Sequence, residues 1–143
     1  MAIAELGRVA LVVDDMTTVA KSLKDIFEID LRIVHAEQLG IRAGVGNKGV
    51  ELVEKAVAEP RLAKHWRGPV AAICIRVDDA EEINRRMEAG GFAYVQSVTT
   101  AGGLKEYYYG ANFHGLPLVI YESSGDFDHE VGAEGNLQLE WRD

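Results

Sequence analysis

Arg8-Val9-Ala10-Leu11-Val12-Val13-Asp14-Asp15 returns 64 residues later as Ala72-Ile73-Cys74-Ile75-Arg76-Val77-Asp78-Asp79. Each copy is an apolar run rich in β-branched residues, which suits a strand, closed by two aspartates able to cap a helix that follows. A second landmark keeps the order, because Glu51-Leu52-Val53-Glu54 is echoed 68 residues on by Val119-Ile120-Tyr121-Glu122. The two offsets agree to within a loop's length, so the chain reads as an internal duplication.

Working outward, residues 7–13 form the first strand, and Met16, Val19, Leu23, Ile26 and Phe27 then recur at helical spacing as one apolar stripe. Strands are expected at 31–35, 41–45 and 50–54, with Gly46-Asn47-Lys48-Gly49 as the turn between the last two. The second half repeats the plan: a strand at 70–77, a helix from 79 to about 89 stopped by Gly90-Gly91, and strands at 92–98, 104–111 and 117–122. On that helix Glu81 with Arg85 and Glu82 with Arg86 form i,i+4 pairs. The reading is α+β, one domain over 1–143, with βαβββ module one at about 7–54 and a connector at 55–68. Module two takes about 69–123, and a C-terminal tail 124–143. In the tail, 124–129 reads as an acidic loop, and Leu137-Gln138-Leu139-Glu140-Trp141 as a last edge strand or a dimer contact.

A chain of 143 residues is long enough to bury about 68–70% of its unfolded surface. The lone Cys74 has no intrachain partner and reads as a small core residue in a reducing, cytoplasmic setting. No signal-peptide pattern occurs, and no apolar run approaches the roughly 18 residues of a membrane span. Net charge is −8 with the basic residues scattered, which argues against nucleic acid as a partner.

Two βαβββ modules, an apolar-Val-Asp-Asp opening to each half and Glu51-Leu52 near the end of the first resemble the vicinal oxygen chelate superfamily. That superfamily includes glyoxalase I, methylmalonyl-CoA epimerase, extradiol dioxygenases, fosfomycin-resistance transferases and the metal-free bleomycin-binding proteins. The resemblance spans residues 7–123 and implies a curved, cup-like eight-stranded sheet with helices on its outer face, in a homodimer. It also implies metal ligands from the first and fourth strand of each module, which fall here on Arg8, Glu51, Ala72 and Val119. Only Glu51 is a donor, whereas a divalent ion needs several. No metal and no cofactor are therefore expected at the family position.

Side chains two apart share a strand face. That puts Arg8, Ala10 and Val12 in the cup with Glu51 and Val53, Ala72, Cys74 and Arg76, and Val119 and Tyr121. Buried charges are rarely left alone, so Arg8 or Arg76 should face Glu51 or an anionic ligand. In Lys105-Glu106-Tyr107-Tyr108-Tyr109, Glu106 and Tyr108 share one face, and Tyr107 and Tyr109 the other. His35, ending a strand, and His114, in a rim turn, are candidate acids or bases, and Trp66 either covers a core edge or lines a pocket mouth.

Three functions from different classes follow. The first is a metal-independent isomerase, lyase or hydrolase of a small carbonyl or carboxylate compound. Arg8 and Arg76 hold an anion or oxyanion, Glu51, His35 or His114 moves the proton, and Tyr108, Tyr121 and Trp66 line the pocket. The second is a non-catalytic protein that sequesters a small molecule. The third is a metal enzyme with an atypical set drawn from Glu51, Glu122, His35 and His114.

Overall fold

The computed structural model describes residues 4–36, 40–46, 48–100, 102–123 and 137–142. The acidic stretch 124–129 lies outside them, as do Asn47 and Ala101 in their turns. Module one runs β1 Ala4–Val13, α1 Met16–Phe27, β2 Arg32–Ala36, β3 Ile41–Val45 and β4 Val50–Glu54. Module two runs β5 Val70–Val77, α3 Ala80–Ala89, β6 Gln96–Thr100, β7 Lys105–Tyr108 and β8 Leu118–Glu122, and the tail adds β9 Leu137–Trp141. The strands form one curled sheet in the order β2-β3-β4-β1-β5-β8-β7-β6-β9, a half-barrel of nine strands rather than eight. The extra strand is the tail, which pairs antiparallel with β6 of its own chain. No helix among the described residues is long and apolar enough to cross a membrane.

The duplication holds to the residue. β1 and β5 are antiparallel neighbours, with Arg8 opposite Cys74 and Ala10 opposite Ala72. The repeat offset exchanges these two pairs. β4 lies parallel to β1 with Ala10 opposite Glu51, and β8 lies parallel to β5 with Cys74 opposite Val119, again the same pair twice.

The helices start alike as well. Asp15 caps α1 by accepting from Thr18 N–H at 3.1 Å, and Asp79 caps α3 by accepting from Glu82 N–H at 3.0 Å. A second carboxylate meets each helix from the end of the module's last strand. Glu54 Oε2 accepts from Met16 N–H and Glu122 Oε1 from Ala80 N–H, both at 3.0 Å. Early N–H groups of a helix lack intrahelical acceptors, so each start receives anionic oxygen from two directions.

Four expectations change. The apolar stripe of α1 seats only in part: Met16 is fully buried over Gly44 and Leu52, whereas Ile26 and Phe27 are exposed where the helix overhangs the sheet. The connector holds a 3₁₀ turn at Lys55–Val57 and a short helix α2, Pro60–Ala63, which Pro60 opens and Glu59 caps. β6 begins at Gln96 because 92–95 serves the end of α3 instead: Phe92 N–H bonds to Met87 O, and the Phe92 ring packs on Phe113. Glu82 takes both Arg85 and Arg86, and Glu81 pairs with Lys105.

One cluster fills the cup: Ala10, Val53, Ala72, Cys74, Tyr108, Val119 and Tyr121, with Leu62 of α2 and Trp66 packed on it from the connector. The other lies beneath α3, where Tyr109 and Ile120 are buried and Tyr107 packs against them.

Candidate functional site

The cup holds a buried arginine between two carboxylates. Arg8 Nη2 donates to Glu106 Oε1 at 2.8 Å, Nε lies 3.4 Å from Glu51 Oε2, and Cζ stands 4.4 Å over the ring of Tyr121. Strand alternation explains the meeting: Arg8 comes from β1, Glu51 from β4 and Glu106 from β7, each on the inner face. Gly7 is what lets Tyr121 lie so close, because a Cβ there would come within 1.8 Å of its hydroxyl oxygen. The Arg8 side chain is 8% exposed. Burial works against its charge, but Glu51 and Glu106 outweigh that and push the guanidinium above its ordinary range. Arg8 is thus a permanent cation in a low-dielectric pocket, held by one carboxylate from each module.

Around it the titratable groups are silent at neutral pH. Burial, then Glu51, pushes the Cys74 thiol up, so it stays protonated and is no nucleophile. Burial likewise raises the Tyr108 and Tyr121 phenols. The carboxylates on Arg8 are left as the groups able to accept a proton.

The other candidates separate. Arg76 shares the cup face by parity but sits at its rim, where Nη1 lies 3.5 Å from Glu5 and Nη2 donates to Ser123 O at 3.3 Å. It therefore does not join Glu51. His114 is exposed in the turn before β8, packed on Phe92 and Phe113 at the outer cluster and not in the cup. His35 lies on β2 opposite Arg42, and its side chain is outside the described residues. Glu122 points to α3, which removes it from an atypical metal set. Trp66 is half-buried on the cup cluster and also lines an open cleft of about 510 Å³ with Val12, Lys55 and Pro69.

Two further residues contribute: Glu106, which strand parity puts on the cup face without a role, and His65, which no motif in the sequence marks. His65 Nδ1 accepts from Ala111 N–H at 3.1 Å and its ring meets Tyr108 edge-on, tying the connector to module two. Gly110 makes room, since a Cβ there would meet the ring at 2.5 Å and its φ is +56°.

The residues present do not fit a divalent ion at the family position. Ala72 and Val119 supply no donor, and Arg8 sets a positive charge beside Glu51. Among the described residues no three His, Cys, Asp or Glu side chains gather to hold a metal.

Two βαβββ modules and the tail strand thus make one curled, cup-like half-barrel sheet around a polar floor. Among solved structures, a variant of Streptomyces coelicolor methylmalonyl-CoA epimerase in complex with 2-nitronate-propionyl-CoA matches with a TM-score of 0.65 at 15% identity, covering 84% of this chain and 94% of that one. A methylmalonyl-CoA epimerase in complex with methylmalonyl-CoA and NH4+ gives 0.66 at 15%, covering 85% and 96%. The epimerase from Mycobacterium tuberculosis gives 0.61 at 16%, covering 83% and 87%. Likeness at this identity shows the fold. No protein-family model and no curated protein matches the sequence.

Proposed function

We propose that the cup binds a small molecule bearing a carbonyl or carboxylate and moves a proton on it without a metal, as an isomerase or lyase. The observation that carries this reading is the buried Arg8 fixed between Glu51 and Glu106. A carbonyl oxygen that shares the guanidinium becomes a better electron sink. The adjacent C–H bond then breaks, its proton goes to a carboxylate oxygen, and the electron pair forms an enolate facing Arg8. Return of the proton from the same carboxylate restores the carbonyl; delivery to the opposite face requires that the other module's carboxylate start out protonated and give up its own proton, while the first keeps the one it took. The structural neighbours named as epimerases support this direction.

The test is deuterium incorporation from D₂O, followed by NMR, into methylmalonyl-CoA, propionyl-CoA and 2-oxobutyrate. Glu51→Gln or Glu106→Gln should slow exchange by about 100-fold or more with circular dichroism unchanged. Exchange at the parent's rate in both variants would sink the assignment.

A second reading has its own support. Tyr108, Val119 and Tyr121 are each under a tenth exposed, so the cup floor is already closed and Arg8 already paired. A protein that only sequesters a ligand would bind one of these probes with no exchange above solvent background.

A further inference from the structure

Cross-strand partners share a face, and one register row crosses the cup from Arg8 through Cys74, Val119, Tyr108 and Gln96 to Trp141. Arg8, at one end of the row, is held by Glu51 and Glu106, and Cys74 and Val119 bring no strong donor. Gln96 is 5% exposed, and its Nε2 is buried with no hydrogen-bond partner among the described residues. It stands between Tyr108, a member of the cup cluster, and Trp141, which packs on the same cluster. The amide therefore belongs to the cup wall.

A buried N–H₂ that bonds to nothing costs folding free energy that a methionine of similar volume would not. The same group becomes an asset when a bound molecule brings an acceptor, because a site built around an unpaired donor rejects ligands that cannot satisfy it. Being a donor, the amide selects an oxygen acceptor. The Arg61 guanidinium, 3.9 Å over the Trp141 ring beside Gln96 in the row, is itself paired with Glu59 at 3.2 Å.

We propose that Gln96 is a ligand-binding, specificity-determining residue whose side-chain amide donates to an oxygen acceptor, a carbonyl or carboxylate, of the molecule in the cup. Three strands, β5, β8 and β7, separate it from Arg8 along the sheet. The acceptor it takes is thus a second oxygen function, away from the atom that reacts. The inference rests on the cup being the binding site.

Gln96→Met is the variant that tests it, in thermal unfolding without ligand and in calorimetric titration with methylmalonyl-CoA, propionyl-CoA and 2-oxobutyrate. The expected result has two parts. The melting temperature holds or rises, since no internal hydrogen bond is lost, and affinity for whichever probe the unaltered chain binds falls about tenfold or more. Where exchange is measurable, KM should rise with kcat nearly unchanged. A clear fall in melting temperature would show that the amide is bonded within the fold and would overturn the inference. Equal affinity of both proteins would overturn it while leaving the cup reading intact. Failure of the unaltered chain to bind any probe would overturn the cup reading and this inference together.

Discussion

Arg8 sets the energetic character of the cup. A buried ion pair gains little over a well-packed apolar set, yet breaking one side of it leaves charge stranded where water cannot reach. Arg8→Met should therefore destabilise the chain by about 3 kcal/mol in urea unfolding, because Glu51 and Glu106 lose their shared partner. The triple variant Arg8→Met, Glu51→Gln, Glu106→Gln should recover most of that loss. A single variant as stable as the parent would mean that the carboxylates do not depend on Arg8. Alternation along strands was enough to place Arg8, Glu51, Tyr108 and Tyr121 on one face. Alternation could not say how far along the strand each side chain reaches. Arg76 shares the parity, but its row also holds Glu5, which draws the guanidinium to the rim. Gln96 escaped for another reason: a strand counted from Phe92 carries Tyr94 and Gln96 on one face, whereas the turn at 92–95 sends Tyr94 under α3 and Gln96 into the cup.

Each module begins and ends on a carboxylate, and these residues join strand to helix. Thr18 holds the Asp15 carboxyl below its ordinary range through its backbone and side chain, and the Met16 N–H followed by Arg42 does the same for Glu54. The sign follows from linkage. A carboxyl whose pKa is depressed in the folded state adds stability above its unfolded value, 4.5 for Glu54, and loses it as pH falls through the folded value. Thermal unfolding should thus show a melting temperature that drops on acidification below about pH 4.5. Glu54→Gln should melt lower than the parent at pH 7 and fall less steeply in the acid window. Parallel curves for the two proteins would remove Glu54 from the acid response. The aspartate caps were legible because a cap is a local event, a side chain bonding three residues ahead. The reach of Glu54 and Glu122 back to a helix of the same module was not, since it depends on β4 and β8 lying parallel beside β1 and β5. α2 was likewise hidden inside the connector, and it is Pro60 that opens it, because the first helical position needs no N–H.

At the scale of the whole molecule the two halves differ chiefly in what covers their outermost strands. β2 and β6 occupy equivalent ends of the duplicated sheet, but β6 is covered by β9 whereas β2 is an edge among the described residues. The tail strand is held from several sides: Tyr94 donates to Glu140 at 2.9 Å, Arg142 N–H bonds to Val95 O at 2.9 Å, and Trp141 lies between the cup cluster and Arg61. Its alternation was visible in the sequence. Its destination was not, because a five-residue strand fits any open edge, and the duplicated sheet offers two. Trp141 thus closes the module-two wall that carries Gln96, linking the stability of the tail to the capacity of the cup. Trp141→Ala should cost about 2 kcal/mol, less than a fully buried tryptophan because one side of the ring meets Arg61. It should weaken probe binding at the same time, by loosening the row in which Gln96 stands. Leu139→Pro provides the control for mechanism: it breaks the β9–β6 ladder at the position opposite Val98 without removing the indole itself. If both substitutions lower the melting temperature and both reduce affinity, the tail is part of the binding wall. Full affinity in a destabilised Trp141→Ala would confine the tail to covering the edge of β6.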